Sequence, residues 1–374
     1  VDDALLRTIT VLVISCPHAL GLAIPLVIAM STSAAARQGV LIRDRKALET
    51  MRTIDTVVFD KTGTLTRGEH AVTGVATSSD DDDALLALAA AVERESEHPL
   101  ARAIIRQAQE RSLTIPSAEG FASVAGRGVS ATIDREEIAI GGPRLLEQRG
   151  LSIPDTLVDK QDQWADRGAA VLSVIRGGEV IGLIALEDQV RESAKQAIAS
   201  LNRRGVRTIM ITGDARNVAE HVAAQLGIDQ VLSEVLPENK SAEIDKLQRD
   251  GRKVVMVGDG VNDAPALASA DVGIAIGAGT DVAMESAGVI LASSDPRSVE
   301  SVIKLSRASY RKMIQNLWWA TGYNVIAIPL AAGVLAGVGI IMPPAIGALL
   351  MSVSTIIVAI NAMTLRSLDL SPES

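Results

Sequence analysis

Positions 60–66 of the chain, with the sequence DKTGTLT, contain the residue types that a phosphoryl-accepting site requires. They directly follow the apolar run 54–59, which places Asp60 at the end of a predicted buried strand. A carboxylate there can attack a phosphoryl group if its surroundings neutralise the incoming charge. Lys61, the hydroxyl of Thr62 and the N–H groups of the turn supply that neutralisation. An ordinary Asp-Lys turn would explain Asp60 and Gly63 but not the whole heptapeptide.

A second motif, VGDGVND at positions 257–263, places two carboxylates on a glycine-rich turn after another predicted strand. Oxygen ligands of this kind suit a hard cation such as Mg²⁺. Asp259 could hold the ion together with Asp60, Asp263 could orient the site, and Asn262 could donate to the phosphate. A Gly-Asp turn alone is common, whereas its combination with DKTGTLT is not.

Two further segments could complete a phosphate site. Thr212, Gly213 and Asp214 follow a third predicted strand and offer a hydroxyl and the N–H groups of a turn. Lys240, in the sequence PENK, could be the cation beside the phosphoryl group. Taken alone, Lys240 is equally well explained as a surface lysine, and only the other motifs favour the catalytic interpretation.

The composition excludes several classes of protein. The 374 residues leave room for two or three domains, and a net charge of −9 without a basic block argues against a nucleic-acid partner. Cys16 is the only cysteine, which excludes an intrachain disulfide and a metal site made of cysteines alone. The chain starts at Val1, and its first residues do not have the layout of a secretory signal, so we expect a start inside a longer protein.

Three segments, at about 9–30, 317–338 and 345–365, are apolar enough to cross a bilayer, which takes about 20 residues each. Basic residues follow the first segment, precede the second and follow the third. Because loops rich in Lys and Arg stay on the cytoplasmic side, we expect residues 31–315 and the C-terminus in the cytoplasm. The lipid bilayer, of a bacterial-type plasma membrane, is therefore a predicted partner.

Strand-like and helix-like patterns alternate in the block between the first and second spans. Such alternation predicts an α/β fold with a doubly wound parallel sheet, in which the chemistry lies beyond the carboxyl ends of the strands. The motifs around Asp60, Thr212 and Asp259 all fall at such ends. The predicted strands are 54–59, 207–211, 253–257, 272–276 and 289–291, and the clearest helices are 193–202 and 217–226.

Residues 68–184 interrupt this alternation and predict an inserted α+β domain. The four Asp residues 80–83 could bind a cation, although a solvated helix N-terminus explains them better. In order, we predict a flexible stretch at 77–83, a long helix at 84–111 and short strands at 123–133, 137–140, 171–175 and 180–186.

Three residues of the insertion are candidates for nucleotide contacts. His98, in the sequence SEHP, could stack on a base or form a hydrogen bond with it. Gly126 and Gly128 could let the backbone approach a nucleotide closely. A surface His before Pro and an ordinary turn explain the same residues when each is taken alone.

The first apolar segment contains Cys16-Pro17-His18. Proline interrupts the hydrogen bonds of a helix and frees backbone carbonyls, and ionisable groups inside a membrane are functional by default. A cysteine alone would more often be a packing residue, but the combination with His18 favours a metal site. The other two segments offer polar or thioether groups, for which helix packing is an equally good explanation: Asn316, Tyr323, Asn324, Met351 and Ser354.

Taken together, these motifs resemble the heavy-metal (CPx-type) P-type ATPases, and the resemblance covers essentially the whole chain. DKTGTLT, TGD and GDGVNDAP resemble the phosphorylation motifs of that family, and CPH resembles its intramembrane metal gate. SEHP and the Gly126-x-Gly128 pair resemble its nucleotide-domain motifs. The resemblance implies a haloacid dehalogenase-like phosphorylation domain, an inserted nucleotide-binding domain, three transmembrane helices and ATP-driven movement of a heavy metal.

The resemblance also implies a role for each catalytic residue. Asp60 would be phosphorylated by ATP, and Asp60, Asp259 and the Thr62 carbonyl would bind Mg²⁺. Thr212 and Lys240 would bind the phosphate. ATP and Mg²⁺ are therefore the implied cofactors.

For the binding sites, the resemblance adds Glu93 as a further acid that contacts ATP, beside His98 and the two glycines. Cys16 and His18 would bind the transported ion. The pattern of Asn316 with Tyr323-Asn324, and of Met351-x-x-Ser354, resembles the copper subgroups.

The choice of metal follows partly from charge. Thiolate and thioether ligands select Cu⁺, whereas imidazole suits copper and zinc alike. The second and third spans contain no Asp or Glu, so a divalent ion would lack compensating charge. His18 points to the CPH subgroup and leaves Cu⁺ and Cu²⁺ open. A zinc or cadmium pump, and a membrane-tethered phosphohydrolase that moves no ion, are the alternatives.

The chain also departs from the family pattern. It has no TGE sequence and three predicted spans, so we expect the actuator domain, the earlier spans and other N-terminal parts of the pump to be missing. We expect no transport by such a fragment alone. The predicted parts are a metal-site helix at 1–32, the phosphorylation domain at 33–67 and 185–312, the nucleotide-binding domain at 68–184, and two membrane helices at 313–374.

Overall fold

The computed structural model describes residues 2–15, 18–79, 81–124, 128–277 and 281–370. The described strands form two sheets. In chain order they are β1 Val40–Ile42, β2 Thr56–Asp60, β3 Thr66–Thr77, β4 Glu119–Val124, β5 Gly128–Ile133, β6 Glu136–Gly141, β7 Ala170–Arg176, β8 Glu179–Val190, β9 Arg207–Ile211, β10 Gln230–Leu232, β11 Val254–Gly258, β12 Val272–Ile276 and β13 Val289–Leu291.

The helices of the described residues include two long ones at the C-terminal end. In chain order they are α1 Asp2–Ile14, α2 His18–Arg37, α3 Arg45–Thr50, α4 Asp82–Val92, α5 Pro99–Glu110, α6 Pro143–Arg149, α7 Asp155–Asp166, α8 Glu192–Arg203, α9 Arg216–Leu226, α10 Lys240–Arg249, α11 Ala264–Ser269, α12 Asp281–Ser286, α13 Ser298–Ala332 and α14 Pro344–Met363.

The seven-stranded sheet has the order β1-β13-β12-β11-β2-β9-β10. The pairs β9/β10, β11/β12 and β12/β13 are parallel, and β1 runs antiparallel to β13 at one edge. All residues of β2, β11 and β12 are buried, as expected for strands covered on both faces. The predicted parallel α/β sheet is therefore confirmed.

The five strands predicted for this sheet all occur, and β9, β12 and β13 have the predicted bounds. The short strands β1 and β10 were not predicted. Each has three residues, which is too few for a pattern of alternating burial to stand out from its neighbours.

The six-stranded sheet has the order β3-β8-β7-β6-β5-β4, with every neighbouring pair antiparallel. Helices α4 and α5 pack on it through a core that includes Leu86, Ile104, Ile140 and Ile184. Antiparallel strands with helices on a face are the α+β arrangement that the sequence predicted for this region. The predicted boundaries of the inserted domain remain a prediction.

Two details of this region were predicted wrongly. The segment 66–77 forms the long strand β3, which was missed because its Gly and Ala residues are weak strand formers. The predicted single helix 84–111 is two helices, α4 and α5, separated by a turn at Glu93–Glu95. Pro99 explains the break, because the residue before a proline is disfavoured in the helical region, and His98 is extended at φ −66° and ψ 141°.

Among the described residues, two segments are long and apolar enough to cross a membrane, Ala4–Arg37 and Pro344–Ser367. Helix α13, which contains most of the second predicted span, packs against α1, α2 and α14 and is less apolar along its length than α14. The prediction that its span reaches residue 338 was wrong, since α13 ends at Ala332 with Gly333 in the left-handed conformation (φ 89°). Helix breaks at Gly are common because glycine tolerates positive φ.

Candidate functional site

Asp60 is the last residue of β2, and it is buried, with 6% of its surface exposed. The next residues, Lys61–Leu65, form a tight turn in which Gly63 has φ 72°. Thr62 lies on the turn and is exposed. The chain thus presents a nearly buried carboxylate at the carboxyl end of a strand, as the sequence predicted.

Arg191 and Asp188 hold this turn, and the sequence analysis missed both. The Arg191 guanidinium donates to the carbonyls of Thr66 (2.8 Å) and Gly63 (3.3 Å), and the Arg191 amide donates to the Leu65 carbonyl (3.0 Å). The Thr66 hydroxyl donates to the Asp188 carboxylate at 2.5 Å. Both residues lie more than a hundred positions after the turn, so no local pattern indicated them.

Thr212, Gly213 and Asp214 form the turn after β9. The Thr212 hydroxyl donates to the Asp214 carboxylate (2.9 Å), and the Asp214 amide donates back to that hydroxyl (3.2 Å). Lys61 pairs with Asp214 at 2.5 Å. The ion pair holds the Lys61 ammonium at the carboxyl ends of the strands, and Thr212, which is 4% exposed, presents its hydroxyl oxygen at the same place.

Lys240, the first residue of α10, is not a surface lysine. Its ammonium forms an ion pair with Asp263 at 2.6 Å, and the two residues are 7% and 2% exposed. Gly258, the last residue of β11, makes room for this carboxylate, because a Cβ at Gly258 would lie 2.5 Å from Asp263 Oδ2. The buried position favours a functional or structural role for Lys240 over the solvated alternative.

Asp60, Asp259 and Asp263 form a cluster of potential metal ligands. One carboxylate oxygen from each lies within 4.8 Å of the others. Among the described residues, this is the group of three acidic side chains that could share a metal ion. Carboxylate oxygens at this spacing fit the preference of Mg²⁺ for hard oxygen ligands. Asn262 lies next to this cluster in the chain and is exposed.

The six-stranded sheet carries a second candidate site, a pocket of about 260 Å³. Glu93, His98 and Gly128, three of the four residues predicted to contact a nucleotide, line it together with Ser96. Gly126, the fourth predicted residue, lies outside the described residues. Glu93 and Gly128 come from separate elements. The fold therefore brings together residues that the sequence analysis could only identify one at a time.

Glu93 is the buried acid of this pocket, with 5% of its surface exposed. Its Oε2 atom is buried and accepts no hydrogen bond within the described residues. Burial raises the pKa of Glu93, and a hydrogen bond from Ser96 partly opposes that rise. An orphaned acceptor in a pocket is what a ligand with an N–H or O–H group would satisfy.

His98 and Gly128 each have a structural role in addition to lining the pocket. The His98 side chain caps α5, with Nδ1 accepting from the Leu100 amide at 3.2 Å, so Nε2 is the ring nitrogen left to meet a ligand. A Cβ at Gly128 would lie 2.1 Å from the carbonyl oxygen of Ile140. The sheet itself therefore requires this glycine, whether or not a nucleotide approaches it.

Among the predicted ligands of a transported ion, Asn316 is buried and already satisfied. Its amide nitrogen donates weakly to the carbonyls of Ala23 and Val358, at 3.4 Å each, and its oxygen accepts from Asn361 at 2.8 Å. These bonds tie α13 to α2 and α14. Interhelical bonding was the alternative explanation in the sequence, and the contacts of Asn316 match it.

Three other predicted ligands differ from Asn316. The Tyr323 hydroxyl, the Asn324 carbonyl oxygen and the Ser354 hydroxyl are buried and have no hydrogen-bond partner within the described residues. Met351 is partly buried on α14, and His18 is exposed at the start of α2. Cys16 lies outside the described residues, so its predicted contact with a metal remains a prediction.

Comparison with known proteins shows which family has a sequence like that of this site. The sequence profile of the haloacid dehalogenase-like hydrolases matches residues 54–271, and a second profile with the same description matches residues 241–303. The chain belongs to the haloacid dehalogenase-like hydrolase family. Its motif aspartates therefore lie in the region that defines the family.

The haloacid dehalogenase-like chain is also similar to curated transport proteins. It is 50% identical over 363 residues to the copper-exporting P-type ATPase B of Archaeoglobus fulgidus, covering 97% of this chain and 52% of that protein. It is 47% identical to a probable copper-transporting P-type ATPase B of Staphylococcus aureus, covering 98% of this chain and 54% of that protein. The chain thus spans about half the length of these relatives.

Comparison with solved structures also finds heavy-metal P-type ATPases. A crystal structure of a zinc-transporting PIB-type ATPase in the E2.Pi state matches with a TM-score of 0.84 and 37% identity, covering 94% of this chain and 56% of that one. A structure of the catalytic domain of the CPx-ATPase CopB-B matches with a TM-score of 0.56 and 32% identity, covering 74% and 98%. The resemblance to the heavy-metal P-type ATPases is confirmed.

The Lys240–Asp263 pair of this haloacid dehalogenase-like site predicts a stability effect. Replacing Lys240→Ala leaves the Asp263 carboxylate buried without its ammonium partner, and breaking a buried pair in this way costs about 3–5 kcal/mol. We expect a clear drop in the Tm of the purified protein.

The matched control is Lys246→Ala on the same helix. That side chain is 67% exposed and pairs with Glu243 at 3.7 Å, and exposed pairs contribute only about 0–1 kcal/mol. An equal Tm for the two variants would contradict the importance of the buried pair.

Glu93 predicts a pH effect. Because burial raises the pKa of Glu93, the stability associated with its protonated form is fully present below its ordinary value of 4.5 and is lost as the pH rises through the raised pKa. Glu93→Gln cannot ionise, so we expect its Tm to rise relative to that of the parent as the pH increases. The measurement is the Tm of both proteins across a pH series without nucleotide.

Glu95→Gln, at an exposed position two residues away, is the control for this series. Its Tm difference from the parent should stay flat with pH. A flat difference for Glu93→Gln as well would show that burial does not shift this carboxyl group.

Proposed function

We propose that the chain contains the phosphorylation, nucleotide-binding and part of the membrane machinery of a copper-translocating P-type ATPase. The observation that supports this most directly is the buried Asp60 of the DKTGTLT turn, next to Lys61 and within a cluster of carboxylates. A nucleophile needs neutralisation of the incoming phosphoryl charge. Lys61 would offer it directly, and the carboxylates would offer it through a bound Mg²⁺. The membrane location follows from the apolar helices and from the relatives named as copper transporters.

In the proposed reaction, a carboxylate oxygen of Asp60 attacks the γ-phosphorus of ATP. A bond forms between that oxygen and phosphorus while the bond from phosphorus to the ADP oxygen breaks, so ADP leaves with the electron pair. Asp60, Asp259 and the Thr62 carbonyl would hold Mg²⁺, which supplies positive charge against the phosphate oxygens. Lys240 would contact the phosphoryl group as a hydrogen-bond donor. The Thr212 hydroxyl would do the same by turning its hydrogen from Asp214 to a phosphate oxygen.

Gly213, Asp214, Asn262 and Asp263 support these groups in the proposal. Asp214 positions Lys61, and Asp263 positions Lys240, through the ion pairs at 2.5 and 2.6 Å. Gly213 lies in the turn after β9, where its N–H could face the phosphate, and Asn262 is exposed where it could donate to the phosphate.

ATP would bind the pocket lined by Glu93, His98 and Gly128. The orphaned oxygen of Glu93 would accept from a donor group of the nucleotide, and the ring of His98 would present Nε2. These contacts orient the nucleotide rather than react with it.

The transported ion would pass Cys16 and His18 and then the orphaned oxygens of Tyr323, Asn324 and Ser354. Buried polar atoms without partners are costly inside a membrane helix, and a coordinated cation would satisfy them. Met351 and Asn316 would complete the path as ligands, and the Asn316 side-chain oxygen would exchange its bond from Asn361 for the ion.

Copper is favoured over zinc. The relatives named as copper transporters share 47–50% identity with the chain, whereas the zinc-transporting structure shares 37%. One thiolate beside Cu⁺ forms a neutral site, and thiolate and thioether ligands select that ion. A zinc or cadmium pump remains the second candidate because a zinc-transporting structure matches most of the chain.

The phosphorylation step is tested by Asp60→Asn in the full-length protein. The amide cannot form an acyl phosphate, so we expect complete loss of acid-stable labelling from ATP labelled at the γ-phosphate. Asp250→Asn, at an exposed position after α10, is the matched control and should keep its labelling. Labelling that survives in Asp60→Asn would refute the assignment of the nucleophile.

The metal is tested by ATPase activity of the full-length protein with Cu⁺, Cu²⁺ and Zn²⁺ in turn. Because soft ligands dominate the proposed path, we expect stimulation by a copper ion and little by Zn²⁺. Stimulation by Zn²⁺ alone would support the zinc pump. An ATPase that responds to no metal, and is unchanged in Cys16→Ser, would support the phosphohydrolase.

A further inference from the structure

Helix α13 carries a cationic surface pocket that has no part in the proposed transport reaction. It measures about 420 Å³, and six residues line it: Arg52, Arg307, Tyr310, Arg311, Ile314 and Gln315. Four of these, at positions 307, 310, 311 and 314, have the spacing that places residues on one face of a helix. We call this group the arginine pocket.

The arginine pocket contains positive charge without a matching acid. Arg52, Arg307 and Arg311 form no ion pair within the described residues, and Arg52 Nε is buried without a hydrogen-bond partner. The Arg52 guanidinium lies 3.9 Å from the centroid of the Tyr310 ring, which fixes its position by a cation–π contact. A buried, unpaired guanidinium nitrogen is a site at which an anion would be stabilised.

The position along α13 indicates the source of that anion. Trp318 and Trp319 are 75% and 46% exposed, and tryptophans on the outside of membrane helices mark the membrane–water interface. Arg311 precedes them by two helical turns, or about 10 Å. The headgroup layer on each side of the hydrocarbon core is about 5–8 Å thick, so the arginine pocket lies at or just beyond it.

We propose that the arginine pocket binds the phosphate headgroup of an anionic phospholipid from the cytoplasmic leaflet. Basic pockets at the cytoplasmic end of membrane helices are suited to such headgroups, and Tyr310 with Ile314 offers an apolar surface for the glycerol end of the lipid. The occupant joins α13 to Arg52 in the turn Met51–Thr53, which precedes β2. The inference rests on the membrane location included in the proposed function.

The test measures lipid binding to the full protein in a non-ionic detergent by native mass spectrometry. Phosphatidylglycerol is compared with phosphatidylcholine of the same chain length, for the parent and for the double variant Arg307→Gln and Arg311→Gln. We expect the parent to prefer phosphatidylglycerol, and the double variant to bind it at least about tenfold more weakly, with no change for phosphatidylcholine.

Arg366→Gln is the control, because Arg366 is also exposed at the cytoplasmic end of a membrane helix but does not line the pocket. Its affinity for phosphatidylglycerol should stay within about twofold of the parent's. An unchanged affinity in the double variant would overturn the proposal, as would equal binding of the two lipids by the parent.

Glycerol phosphate is a further arm, because it carries the same anion without acyl chains. Displacement of phosphatidylglycerol by equal concentrations of glycerol phosphate would overturn the lipid assignment in favour of a free anion. Asp60 labelling is measured on the same preparations. Retained labelling with no lipid preference would refute the arginine pocket alone, whereas lost labelling with intact lipid preference would refute only the proposed reaction.

Discussion

The burial of charge at the carboxyl ends of the strands is the constraint on which the candidate site depends. A charge taken out of water costs several kcal/mol unless a partner lies close to it. Lys240 and Asp263 meet that condition at 2.6 Å with less than a tenth of either residue exposed. Lys61 and Asp214 meet it at 2.5 Å, nearer to solvent. Each pair holds an ammonium group in place before any substrate arrives, which is how electrostatic stabilisation avoids reorganisation during a reaction.

The chain runs from the turn after Asp60 into the six-stranded sheet, and it comes back to the same turn at the end of β8. The turn after Asp60 leads into β3, and the insertion returns along β8, where Thr66 pairs with Val190. Arg191 then donates to the carbonyls of the turn itself. Because the pairing of β3 with β8 fixes both ends of the long segment between them, that segment does not loosen the turn next to Asp60.

The buried polar groups of α13 and α14 are of two kinds. Asn316 bonds to carbonyls on both neighbouring helices, which makes it a tie between α13, α2 and α14. Tyr323, Asn324 and Ser354 have buried oxygens without partners among the described residues, although burying such atoms away from water costs free energy. The difference separates Asn316, whose bonds hold the helices together, from three residues whose polar atoms hold nothing together within the described structure. In the arginine pocket, Arg52 Nε is likewise buried without a hydrogen-bond partner among the described residues, and there the group carries a charge.

The sequence by itself determined the local chemistry of this protein. Asp60 at a strand end, the aspartates of the second motif and the parallel sheet could all be predicted, because a motif is contiguous and a buried strand is a continuous apolar run. The same local evidence failed for β3, which lacks strong strand formers, and for the helix that breaks before Pro99.

Only the tertiary structure decided which distant residues meet. The burial of Lys240 against Asp263, the contacts of Arg191 with the turn, and the satisfied state of Asn316 all depend on packing between elements far apart in the chain. Sequence patterns report the environment of a residue along its own strand or helix. They do not report the register and orientation between elements, which set every contact of these three residues.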